Sequence, residues 1–417
     1  MRAPLLALVV AVLTGCGSTP ATQGGGGAAS TPTSGNSGSE SGLGSTDEPD
    51  AEAAAGSGSA AASGGSGGSG SIAASGMTTE PSSGSSAGAS HAGEVDASVV
   101  MAGDAGRTTA SPFDCKFGWG EPSPSGSLAS YGWLGFVSTW VGSEVQSDGS
   151  LPSCSGCTWL TGQVAPTNLI PVYYAYFIGF YGHVNGLPDQ NQNSSGPNLS
   201  TGAGALILGA ANSACPSGQL CASNKIVQMY AHYAQLSHAA WPTKPLVWLL
   251  EGDFVQYTDT TQTKPLTYAQ LGQLAALITT AIKSNMPNAV VAIDQSAWNS
   301  DDVTKSFWGA MSAANYDMVW TTGVGNNGDF LNAGANAQTY NGSTATYAFL
   351  HQLTGKKILV DESAGMSQQS DTWSNQSASQ INALIASGVV GINVSGAPSN
   401  YQSNIAALAP KLNSTCP

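Results

Sequence analysis

The chain has 417 residues, and its 25 Asp and Glu outnumber 11 Lys and Arg to give a formal net charge of −14 at pH 7. No arginine follows Arg107, so the aromatic-rich remainder lacks the basic footprint that nucleic acid requires and the guanidinium fork that grips phosphate. Nucleic acid is excluded as a partner on this ground, and neutral polar substrates fit better.

Residues 1–16 carry one basic side chain, Arg2, followed by an apolar run well short of the roughly 20 residues that span a bilayer. This is the pattern of a secretory signal, set apart from the fold. Its ending, Leu13-Thr14-Gly15-Cys16, resembles a bacterial lipobox. That resemblance implies lipidation of Cys16 and a membrane anchor in the bacterial cell envelope, facing the periplasm or exterior. Residues 17–111 are almost all Gly, Ser, Ala and Thr without an aromatic residue. Such a segment buries too little apolar surface to offset chain entropy, so a disordered tether is expected, reaching on the order of 50 Å.

Residues 112–417 hold every tryptophan, and their length suits an α/β barrel. Apolar runs predict strands at 133–140, 170–178, 246–250, 289–294, 318–321, 357–361 and 389–394. Amphipathic patterns predict helices at 223–239, 267–284, 302–314, 344–353 and 377–386, several opening on Ser, Thr or Asp, with Pro287 stopping the second. Strand alternating with helix gives a (β/α) barrel, distorted or seven-stranded by this reading. A Gly-, Asn- and Ser-rich stretch at 182–204 reads as a long loop on the catalytic rim.

Beyond Cys16, six cysteines remain: Cys115, Cys154, Cys157, Cys215, Cys221 and Cys416. An even number in an exported chain argues for disulfides. Cys154 with Cys157 and Cys215 with Cys221 can close locally, which leaves Cys115 and Cys416 to tie the domain ends. The Cys154-x-x-Cys157 spacing also suits a redox pair or half a zinc site. No second such pair and no histidine cluster accompanies it, and His183, His232, His238 and His351 lack ligand spacing, so no metal is expected. No nucleophile elbow, P-loop or dinucleotide fingerprint appears, and no cofactor is expected.

Chemistry concentrates where strands run into acids. In parallel α/β folds ligands sit at the carboxyl ends of strands. The strand at 246–250 is followed by Glu251, Gly252 and Asp253. Continued alternation would place both acids on the cleft side, with Gly252 easing the turn. Two close carboxylates hold different pKa values, so one can remain protonated as general acid. Asp294 ends the next strand, and Trp298 follows it as a sugar-stacking candidate. Asp361 and Glu362 are adjacent and point oppositely, with Glu362 taken as the cleft-facing one. Tyr174, Tyr176 and Trp373 complete the substrate-binding candidates.

Glu251-Gly-Asp253 is similar to the Glu-Pro-Asp of glycoside hydrolase family 6, cellulases and cellobiohydrolases on a distorted seven-stranded barrel. The run from Pro287 through Asp294 to Trp298 resembles that family's Pro-Asn strand ending in Asp, and Leu359 to Gly365 resembles a later strand with an acid and a glycine. The resemblance implies Asp253 as catalytic acid and an inverting attack on β-glucan. Glycine stands in place of the family's proline, and its Asp-Arg-Asp and Gly-Glu-x-Asp-Gly segments have no counterpart.

The expectation is therefore a monomeric, surface-tethered glycoside hydrolase acting on polysaccharide, with Asp253, Glu251, Asp294 and Glu362 as catalytic candidates. One alternative is a retaining barrel using Glu251 and Glu362, whose carboxyl groups would stand about 5–5.5 Å apart. The other is a polysaccharide-binding lipoprotein without turnover.

Overall fold

A computed structural model describes residues 112–416 apart from 123–126, 190–195, 211–214, 216–218, 297–298, 323–345, 362–373 and 395–398. The signal, Cys16 and the tether lie outside the described residues, as do Trp298, Glu362 and Trp373.

Eight parallel strands close into one barrel in chain order: β1 Gly118–Pro122, β2 Phe136–Val141, β3 Ile170–Ala175, β4 Leu246–Leu250, β5 Ala289–Gln295, β6 Met318–Thr322, β7 Lys357–Asp361 and β8 Val389–Asn393. The ring closes by parallel pairing of β1 with β8, Gly118 opposite Gly391 and Gly120 opposite Asn393. This is the (β/α)8 architecture, and it replaces the seven-stranded expectation.

The strand absent from the sequence reading is β1, Gly-Trp-Gly-Glu-Pro. Its glycines serve the interior. A Cβ on Gly120 would collide with the Phe136 ring, and one on Gly118 would come within 3.0 Å of Phe113. Phe113 and Phe136 stack at 5.0 Å and fill that part of the interior, so β1 offers backbone where its neighbours offer side chains. A strand of this kind leaves no apolar run to detect.

Inside the ring, Phe113, Phe136, Val172, Val247, Leu249, Ala292, Met318, Leu359 and Val390 form one apolar cluster with Tyr174 and Trp320.

 

A second, larger cluster packs the outer faces of the strands against the surrounding helices. Those helices are α1 Ser155–Trp159, α2 Phe177–Val184, α3 Leu199–Gly209, α4 Lys225–Ala240, α5 Tyr268–Asn285, α6 Asp301–Ala310, α7 Tyr347–Thr354, α8 Ala378–Ala386 and α9 Tyr401–Leu408. Local chemistry explains their starts. Thr267 with Gln270 and Ser377 with Gln380 form capping boxes at α5 and α8, each satisfying backbone N–H groups that a helix start leaves unpaired. The stretch expected as a long rim loop is partly helical: it contains the end of α2 and the start of α3. Strand β3 stops at Ala175, so Tyr176 precedes α2 instead of lying within a strand.

Three disulfides join Cys115 to Cys416, Cys154 to Cys157 and Cys215 to Cys221.

Candidate active site

The carboxyl ends of β4, β5 and β7 bring Asp253, Asp294 and Asp361 to one end of the barrel. Strand phase decides two of them. Ala292 and Leu359 belong to the interior cluster, so Asp294 and Asp361, two residues further along each strand, point inward as well. Because both faces of these strands are apolar, that phase cannot be read from hydropathy alone. The expectation that Glu362 takes the cleft side meets an inward Asp361, and Glu362 itself falls outside the described residues.

Backbone conformation decides the others. Strand β4 ends at Leu250, and Glu251 and Asp253 then take positive φ values of 30° and 59°. Alternation therefore stops before it can set the two acids side by side. Gly252, expected to supply the turn, is not among the residues of positive φ. The two acids adopt the left-handed backbone that would ordinarily fall to glycine.

Glu251 is turned away from the ring and is 1% exposed. Its Oε1 accepts the Ile178 N–H of α2 at 2.7 Å and the Tyr230 hydroxyl of α4, while Oε2 accepts the Tyr257 hydroxyl at 3.3 Å. Burial nevertheless raises its pKa to about 7, against the lowering effect of these donors.

Asp253 keeps part of its surface open to solvent. Its backbone N–H donates to Asp294 Oδ2 at 2.9 Å, and the Ser296 hydroxyl donates to the same oxygen at 2.8 Å. Asp294 is 2% exposed; burial raises its pKa to about 7, with a further push from Asp361 and opposition from Ser296 and the backbone N–H groups of Asp253 and Phe254. Asp253 is raised well above the ordinary carboxyl range, first by desolvation and then by the negative charge of Asp294, with Asp189 adding to it. Asp189 in turn pairs with His183 at 3.1 Å. Two neighbouring acids that both resist ionisation can keep a proton near neutral pH.

Below this pair lies a polar layer. The Asn393 amide nitrogen of β8 is 3.0 Å from Ser138 Oγ and 3.2 Å from Asp361 Oδ1, and it also meets the Tyr174 hydroxyl. Trp320 donates its indole N–H to the Leu250 carbonyl at 3.0 Å, tying β6 to the end of β4. Tyr174, a substrate-binding candidate, is 2% exposed and lies beneath Trp140, with ring centroids 4.8 Å apart. Tyr176 is partly exposed, and its ring occupies space left by Gly179, where a Cβ would collide with it. Ser296, Asn393 and Trp140 are the members of this group that motif reading passes over, since only strand phase could single them out. Among the described residues, no three His, Cys, Asp or Glu side chains are grouped to hold a metal ion.

No family model matches the chain, and no curated protein matches it. Solved structures do. A modular endo-β-1,4-mannanase from Cellulomonas fimi, described within glycoside hydrolase family 26, is 10% identical over 72% of this chain and 72% of its own, with a TM-score of 0.44. A family 26 β-mannanase from Bacteroides ovatus is 8% identical over 73% and 92%, with a TM-score of 0.44. A family 5 glycoside hydrolase from Prevotella bryantii B14 is 10% identical over 72% and 96%, with a TM-score of 0.39. Likeness at these levels says nothing of chemistry.

The resemblance to glycoside hydrolase family 6 does not hold. The barrel closes on eight strands where a distorted seven was implied, and no family model matches the chain. The inverting course and the β-glucan substrate stood on that resemblance and lose their basis with it.

Proposed function

We propose that this chain is a glycoside hydrolase acting on a neutral polysaccharide, with Asp253 as general acid and Asp294 as the residue that positions it and keeps it protonated. The observation that carries this reading is the contact between them: Asp294 accepts the Asp253 N–H at 2.9 Å, at the end of the barrel where such folds place their chemistry. Cleaving a glycosidic bond needs a proton delivered to the departing oxygen and a second carboxylate at the sugar. Asp253 is partly open to solvent and its pKa is raised, which suits the first task. Asp361, inward and within electrostatic reach of Asp294, is the described candidate for the second. Glu251 takes no chemical step in this proposal, because its carboxylate is engaged by three donors on the helix side of β4.

The proposal includes a lipid anchor at Cys16, a tether over residues 17–111 and a monomeric domain working at the bacterial cell envelope. Phe113 packs against the first residue of β1, Gly118.

The test is turnover of soluble β-1,4-mannan and β-1,4-glucan by the full chain and by Asp253→Asn, followed as new reducing ends. The expected outcome is cleavage by the parent and a loss of about 10²–10⁴-fold in the variant. The anomer of the first product, read by NMR, assigns inversion or retention. Glycan binding without turnover, unchanged in Asp253→Asn, would instead identify a binding module.

A further inference from the structure

The barrel mouth contains a built aromatic ledge. Trp140 is the last inward residue of β2, two positions beyond Ser138, whose hydroxyl faces Asn393. It sits opposite Tyr174 in the β2–β3 register, and the two rings stack at 4.8 Å with 21° between their planes. Tyr176 meets Trp140 edge-on at 5.9 Å, and Trp320 reaches Tyr174 from β6 at 6.2 Å. Tyr174 and Trp320 are buried, at 2% and 3% exposure, whereas Trp140 remains partly exposed. One face of the indole is therefore spent on Tyr174, and the surface it retains lies at the mouth.

Two properties point to a ligand. An indole fixed from below by a stacked phenol is a rigid apolar plane, which is what the C–H face of a pyranose packs against. Its surroundings offer acids and no arginine, since none follows Arg107, so an anionic sugar would meet repulsion without a guanidinium partner. The bland alternative is that Trp140 merely completes the interior cluster it borders. That role would leave glycan binding untouched when the ring is trimmed.

We propose that Trp140 is the sugar-stacking platform of this chain, holding a neutral pyranose ring two strands from β4, which Asp253 follows, and three from Asp294 on β5. This rests on reading the mouth as a glycan site.

The experiment is calorimetric titration of the full chain carrying Asp253→Asn, with mannohexaose, cellohexaose and an oligogalacturonate as probes. Adding Trp140→Ala is expected to weaken binding of a neutral probe about tenfold, and Trp140→Phe about threefold, with no binding of the anionic probe. The phenylalanine variant keeps a ring on Tyr174 and decides the matter if the alanine variant fails to fold. Unchanged affinity in the folded variants overturns the proposal, as does a parent that binds neither neutral probe or prefers the anionic one. Turnover by the unsubstituted chain is measured in parallel. Trp140-dependent binding without turnover removes the hydrolase reading and keeps the platform, while turnover with Trp140-independent binding does the reverse.

Discussion

Glu251 and Asp253 are two positions apart and do opposite things. Both hold positive φ, a conformation that costs a residue with a side chain on the order of 1–2 kcal/mol. Such strain persists only where the surroundings fix it. Here Glu251 is fixed by Ile178, Tyr230 and Tyr257, and the Asp253 N–H is fixed by Asp294. Burial, and then the negative charge of Asp294, hold the Asp253 proton beyond the usual carboxyl range, so a step that needs it protonated proceeds below its pKa and fails above. Ionised Asp294 raises that pKa, and Asp294→Asn removes the charge while keeping an oxygen to accept the N–H. The alkaline limb of kcat/KM is therefore expected to move to lower pH by about one unit. A limb that stays in place would remove Asp294 from the proposed role.

At the scale of elements, Glu251 clasps the end of β4 to α2 and α4. Its pKa of about 7 in the fold stands above the ordinary value near 4.3 in an unfolded chain. The sign follows: the neutral group's contribution is complete below the unfolded pKa and is lost as pH rises through about 7. The difference corresponds to roughly 4 kcal/mol. Denaturant midpoints should fall between pH 5 and pH 8, and Glu251→Gln, which cannot ionise, should flatten that slope; an equal slope in the variant would assign the pH dependence elsewhere. This clasp was not legible in the sequence. Alternation places Glu251 on the cleft side, and only the left-handed turn after Leu250 redirects it. Elements with a one-dimensional signature were legible: the runs that became β4 to β8, and the starts of α5 and α8, where Thr267 and Ser377 bond to their own neighbours. Strand β1 was not, because its inward positions are glycines answering Phe113 and Phe136 from elsewhere in the chain. For the same reason the sequence shows Asp253 and Asp294 as strand-end acids but not Trp140, Ser296 or Asn393 as their companions.

For the whole molecule, that glycine-rich strand sits at the closure. β1 pairs β8 through Gly118 to Gly120, a contact with little inward side-chain packing of its own. The chain reinforces the same seam covalently. Cys115 lies just before β1 and is bonded to Cys416, 301 residues away, while Thr415 donates its N–H to the Cys115 carbonyl at 2.9 Å. A crosslink stabilises mainly by restricting the unfolded chain, and the effect grows with the loop it closes. Opening Cys115–Cys416 by paired substitution to Ser is expected to cost up to about 5 kcal/mol, against about 2 kcal/mol for the four-residue loop of Cys154–Cys157. Urea midpoints under non-reducing conditions measure both. Since Asn393 ends β8 opposite Gly120 and reaches Asp361, loosening this seam should also disturb the floor of the site, so activity in the Cys115/Cys416 variant should fall at lower urea than the global transition. If instead the Cys154/Cys157 variant proves the weaker of the two, barrel closure is held by packing elsewhere and the covalent seam is incidental to it.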